Sequence, residues 1–147
     1  MAEEYPWERP LGARVVDDAL VELRTWAPAA QHARVHVRGV EHDLADEGYG
    51  VRSARVPASA GDDYWLVLDG KRFPDPASRW QPAGLRGPSR VLDAAAFAWS
   101  DAGFAAAPLR DTVLYELHVG TFTVEGTFEA AAARLPALAG TRALRTP

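Results

Sequence analysis

The chain has 147 residues, 48% of them hydrophobic and 24% charged, with a formal net charge of -4. That length allows one sizeable core, or one domain and part of another. The acidic balance provides no field for phosphate backbones, and no apolar run reaches the roughly 18 to 20 residues of a membrane helix, so neither nucleic-acid nor membrane partners are expected. With no cysteine, disulfides and thiolate metal sites are excluded, and Met1-Ala2-Glu3-Glu4-Tyr5-Pro6 lacks the basic and apolar regions of a secretion signal, so a cytoplasmic location is expected.

Residues 1–11 carry prolines and charges without periodicity and read as a flexible arm, with Tyr5 and Trp7 packing locally. Strand-period alternation then dominates from Leu20 to Pro57. Val21, Leu23 and Thr25 alternate with Glu22, Arg24 and Trp26, and Ala33, Val35 and Val37 alternate with Arg34, His36 and Arg38. Turn signals at Ala27-Pro28, Gly39, Gly48 to Gly50 and Pro57 to Asp63 recur at the cadence of an antiparallel sandwich. Tyr64 to Leu68 is the next strand. Asp69-Gly70 is a favourable two-residue hairpin turn, folding Lys71 to Phe73 back onto it. Residues 12–74 therefore read as a small immunoglobulin-like β-sandwich.

Residues 75–110 read as an ordered interdomain connector. Pro74, Pro76, Pro82 and Pro88 withhold backbone donors and hold their predecessors extended. Ala94 to Ala107 reads as an irregular or short helical segment whose Phe97, Trp99 and Phe104 dock either on the sandwich or on the domain that follows the connector. Residues 111–147 begin a different pattern. Val113 to Val119 is apolar except at Glu116 and His118, as expected of a strand covered on both faces in a parallel sheet, and Gly120 ends it. Thr127 is the expected N-cap of a helix, with Glu129 in its first turn and Phe128, Ala131, Ala132, Leu135 and Leu138 on one face.

The run Leu114-Tyr115-Glu116-Leu117-His118-Val119-Gly120-Thr121-Phe122-Thr123, followed by Glu125-Gly126-Thr127-Phe128, resembles the first barrel strand of the maltooligosyltrehalose trehalohydrolases, members of the α-amylase superfamily. A second block resembles that family's segment between N-terminal domain and barrel: Phe73-Pro74-Asp75-Pro76-Ala77-Ser78-Arg79-Trp80-Gln81-Pro82, then Gly87-Pro88-Ser89 and Val91-Leu92-Asp93. The resemblance, covering roughly Gly12 to Leu138, implies a mostly β chain: a carbohydrate-binding-type sandwich, a connector and the first βα unit of an incomplete (β/α) barrel. It also implies an enzyme that hydrolyses the α-1,4 bond next to the trehalose end of maltooligosyl trehalose. A whole barrel takes about 250 residues, and the tail Thr141 to Pro147 departs from the family by lacking a second buried strand. A truncated or frameshifted product, or the front piece of a split gene, is therefore expected, inactive alone, with a missing C-terminal barrel portion as its partner.

Glycoside hydrolysis needs two carboxylates about 5 to 9.5 Å apart, which the family keeps on later strands, so no catalytic residue is assigned. Asp17-Asp18 and Asp62-Asp63 lie in turn-like stretches and read as solvated turns. Glu116 and His118 share a strand face, with His118 nearer the end where barrel sites are built. His118, Thr121 and Phe122 are the candidate sugar contacts there, against the alternative that they simply pack. On the sandwich, Trp26, Tyr49, Trp65 and Trp80 are candidates for stacking on sugar rings, Trp65 foremost, against the alternative of core packing. His32, His36 and His42 lack a completing carboxylate, so neither metal nor cofactor is expected. The expected ligand is an α-glucan or maltooligosyl trehalose. Rival expectations are a stand-alone α-glucan-binding module and a non-functional remnant.

Overall fold

The alternating stretches pair as expected. In the computed structural model, which describes residues 5–139, the strands are β1 (Gly12–Asp17), β2 (Leu20–Trp26), β3 (Ala33–Val37), β4 (Val40–Asp43), β5 (Ala45–Gly48), β6 (Val51–Pro57), β7 (Asp63–Leu68), β8 (Lys71–Phe73) and β9 (Ser89–Arg90). One antiparallel sheet runs β1-β2-β6-β5 and the other β4-β3-β7-β8, with β9 also on β7. The inward residues of both sheets meet in one core: Val21, Leu23 and Val56 from the first, Val35, Val37, Tyr64 and Leu66 from the second. Leu44, between β4 and β5, is buried where the chain crosses from one sheet to the other, its amide bonded to the Ala33 carbonyl at 2.9 Å. This is the expected sandwich.

The Asp69-Gly70 turn forms as the sequence dictates. Both residues take left-handed backbone, at φ 48° and 78°, and Leu68 faces Lys71 across the hairpin. The Asp69 carboxylate accepts the His32 amide at 2.8 Å, tying the turn to the start of β3.

The chain divides into two units, Met1–Ala98 and Trp99–Pro147. The first half of the proline-rich connector belongs with the sandwich. Val91 and Asp75 are buried in it and β9 extends its second sheet. Tyr64 donates its hydroxyl to Asp75 Oδ2 at 2.7 Å, the Asp75 amide donates to Ser89 Oγ at 2.9 Å, and Gln81 Nε2 donates to the same Oγ. Residues 5–10, expected to be a loose arm, are tied down: Arg24 of β2 donates to the carbonyls of Pro6, Arg9 and Pro10 at 2.6, 2.7 and 3.0 Å. The alternation on β2 placed Glu22 and Arg24 on a wet face, yet both are buried, because the N-terminal residues cover that face. Trp26, on the same face, stays exposed.

The second unit corrects the sequence reading most. The strand expected over Val113 to Val119 is not one. Residues 112–118 have extended backbone at their ends, at Thr112 (φ -101°, ψ 131°) and His118 (φ -99°, ψ 109°), but no strand pairs with them. Val113, Leu114 and Tyr115 are exposed. The physical reason is that a parallel strand is held by neighbours on both edges, and none is present among the described residues. Gly120, expected to end that strand, lies inside a four-residue helix, α1 (Val119–Phe122). Residues 94–107 take the irregular of the two forms expected, and Phe97, Trp99 and Phe104 are exposed. The helix after Thr127 does form, as α2 (Phe128–Ala139). Thr127 caps it as expected, its hydroxyl accepting the Ala130 amide at 3.2 Å. Ala131 is buried on its inner face, whereas Phe128 and Leu135 are exposed. The tail Thr141 to Pro147 lies outside the described residues.

Candidate functional site

The three candidates from the C-terminal pattern, His118, Thr121 and Phe122, meet in one turn of chain. His118 immediately precedes α1, and its carbonyl accepts the amides of Thr121 at 3.0 Å and Phe122 at 2.9 Å. The Thr121 hydroxyl lies 3.3 Å from both the His118 carbonyl oxygen and His118 Nδ1, so hydroxyl and imidazole form one small polar group on the surface. Thr121 and Phe122 also line an open cleft between α1 and α2, opposite Arg134 and Leu138. A guanidinium and a hydroxyl beside a half-buried ring are suited to a polyhydroxylated ligand, but among the described residues no carboxylate lines the cleft to move a proton.

Trp65 lies in the other unit, on β7, half-buried and cross-strand from His36. It alternates with the core residues Tyr64 and Leu66 and so points away from the core. Trp80 carries the Arg90 guanidinium over its ring at 5.1 Å, and Arg90 in turn grips Asp63 at 2.6 and 3.0 Å.

The adjacent acid pairs are structural. Asp17 accepts the Ala19 amide, Asp62 accepts the Ser59 amide and pairs with Arg38, and Asp63 pairs with Arg90. The Asp63 carboxyl is held below its ordinary value by the hydrogen bond from Arg90, against the effect of burial. Three or more His, Cys, Asp or Glu side chains placed to hold a metal ion do not occur among the described residues. No helix among them is long and apolar enough to cross a membrane.

The pattern did not reveal an aromatic cluster joined to a buried charge lattice. Tyr5 and Trp7 stack at 4.6 Å, and Trp7 meets Tyr49 edge to face at 4.8 Å. Beneath them the Arg24 side chain, 1% exposed, pairs with Glu47, while Arg9 bridges Glu22 at 2.7 Å and Glu47 at 3.4 Å. Burial pushes the Glu22 carboxyl up, but the hydrogen bond and charge of Arg9, with Arg14 and Arg55, take it below 4.5. Glu47 is lowered chiefly by its hydrogen bond from Arg24, against burial. The available signal was Tyr5 and Trp7 two residues apart, together with charges on a strand otherwise apolar.

No protein-family model matches the chain. Curated relatives do. It is 44% identical over 116 residues to malto-oligosyltrehalose trehalohydrolase of Deinococcus radiodurans, the match covering 79% of this chain and 19% of that protein. Identity is 42% over 125 residues to the Rhizobium sp. enzyme of the same name, covering 78% and 21% respectively. It is 39% over 121 residues to that of Saccharolobus solfataricus, covering 78% and 21%. The chain thus spans about a fifth of the length of these relatives, within their N-terminal part. Among solved structures, a putative α-amylase from Salmonella typhimurium superposes with a TM-score of 0.78 at 38% identity, over 88% of this chain and 22% of that one. A group B Streptococcus pullulanase solved with maltotetraose shares the fold, with a TM-score of 0.63 at 19% identity over 91% of this chain and 23% of that one.

Proposed function

We propose, from the match of this chain to the N-terminal portion of the malto-oligosyltrehalose trehalohydrolases, that it supplies the sandwich, connector and first strand-helix segment of an α-amylase-superfamily hydrolase. The reaction is hydrolysis of the α-1,4 bond next to the trehalose end of maltooligosyl trehalose. The observation that carries this reading is the 44% identity to a trehalohydrolase over 79% of the chain.

In this reading the chain contributes no acid or nucleophile. It shapes the entrance to a site whose carboxylates come from later barrel strands. His118, Thr121 and Phe122 stand where the first strand would meet the active-site end of a barrel, and they contact sugar hydroxyls and a ring face there. Domain boundaries follow: sandwich from Gly12, connector through residue 110, barrel from Asp111.

A fusion tests the proposal. The 147-residue chain is joined to the remaining four-fifths of the Deinococcus relative and trehalose release from maltooligosyl trehalose is measured. The fusion is expected to release trehalose and the chain by itself none. A folded but inactive fusion, or turnover by the chain alone, sinks the reading.

The alternative, an α-glucan-binding module that acts without a barrel, is favoured by the exposed rings of Trp7 and Tyr49, which meet edge to face on the sandwich.

A further inference from the structure

We propose that residues 5–11 are an acid-released strap, a segment held over the outer face of the first sheet by a charge lattice and able to let go while the sandwich stays folded. None of these residues is buried, and Trp7 is 57% exposed. Apolar burial therefore does not hold them. Their anchors are polar: Arg24 donates to the carbonyls of Pro6, Arg9 and Pro10, and Arg9 reaches back to Glu22 and Glu47. The rings of Tyr5 and Trp7 add an edge contact to Tyr49, in the turn between β5 and β6. Gly12, at φ 94°, joins the strap to β1 and gives the chain a pivot.

The face under the strap is one that water can take. Glu22 and Arg24 alternate with the core residues Val21 and Leu23 along β2, so they point away from the core. Opening the strap returns ions to solvent and leaves the apolar core between the sheets covered. Hydration of the released charges offsets much of what their pairing supplied. Segments that bury little open at low free energy, ahead of the global transition.

Acid sets the direction of the switch. Glu22 faces Arg9 on the strap, Arg14 on β1 and Arg55 on β6. Glu47 faces Arg24 on β2 and Arg9 on the strap, and is bonded by Ser53 of β6. Among the described residues, four guanidiniums thus share two carboxylates. Protonating both carboxylates removes the negative charge of the lattice and leaves like charges facing one another across it. Burial opposes the effect, but these partners hold both carboxyls below 4.5. The closed strap is therefore fully stabilised above that value and is released as pH falls through the depressed values. Asp75, the carboxyl buried in the sandwich, is raised by its burial, so acid does not loosen that part of the fold.

The test is an acid titration of the 147-residue chain, with the Trp7 indole N–H resonance reporting the strap and the Val35 and Leu66 amides reporting the core. The Trp7 resonance is expected to shift below pH 4.5 while Val35 and Leu66 remain native. Arg9→Gln removes the strap's own guanidinium and leaves the strands intact, and it moves the Trp7 transition to higher pH. Glu8→Gln lies on the strap outside the lattice, keeps an acceptor for the Tyr5 amide and leaves the transition where it was. A Trp7 resonance that holds until the core signals are lost overturns the proposal. An unmoved transition in Arg9→Gln, or an equal shift in Glu8→Gln, does the same.

Discussion

At the scale of residues, the informative groups are buried charges. Arg24 is enclosed with Glu47 and three carbonyls as partners, so Arg24→Ala leaves Glu47 with the longer Arg9 bridge, leaves those carbonyls without their donor and frees the N-terminal residues. Breaking such a pair costs about 3 kcal/mol or more, read as a lowered urea midpoint with altered Trp7 fluorescence; an unchanged midpoint counts against the lattice. Two opposed pH effects follow. Glu22 and Glu47 have folded values below 4.5, so the stability they confer is complete above that value and is lost as pH falls through their depressed values. Asp75 is the reverse: burial raises its carboxyl above 3.8, more than the hydrogen bonds from Tyr64 and Ala77 lower it. Its contribution is present below 3.8 and is lost as pH rises through the raised value. In Asp75→Asn only the depressed carboxyls, Glu22, Glu47 and Asp63, remain, so stability should decline more steeply on acidification than in the parent chain. Parallel curves from urea melts at stepped pH would contradict this. The charges on β2 were visible in the sequence but their partners were not, because Arg24 meets Pro6 and Glu47 only through the fold.

At the scale of elements, the sandwich strands could be read because their pattern is local. Ala33, Val35 and Val37 alternate with polar residues, and a two-residue Asp-Gly turn fixes register. Gly70→Val puts a β-branched side chain at φ 78° and should cost about 1 to 2 kcal/mol in thermal or denaturant unfolding; a neutral result would mean the turn reshapes freely. Helix α2 was equally readable from its cap and its apolar spacing. Yet it contains Pro136, whose missing N–H and ring clash weaken a helix interior. Pro136→Ala should raise helical circular dichroism, and unchanged helicity would show that the helix stops before it. The misreading at Val113 to Val119 has a plain cause. Composition there suits a buried parallel strand, but a strand is a relation between segments, and composition names only one of them.

At the scale of the molecule, the two units differ in how much apolar surface they bury. Met1–Ala98 encloses a two-sheet core, whereas in Trp99–Pro147 Phe104, Leu109, Leu114, Val124 and Phe128 are all exposed. Local stability follows burial, so limited proteolysis should cut first within residues 99–111 and leave a resistant piece from the first unit. Initial cleavage inside Gly12 to Phe73 would reverse that order. The sandwich is complete in itself, and residues 112–118 have the composition of a barrel strand without its neighbours.

Hydrogen exchange at the amides of Val113 to Val119 tests this most directly, measured in the chain by itself and in its fusion to the remainder of the Deinococcus relative. The account predicts rapid exchange in the first and strong protection in the second, with Val35 and Leu66 slow in both. Slow exchange across those amides in the unfused chain, or no gain of protection in an active fusion, would contradict it.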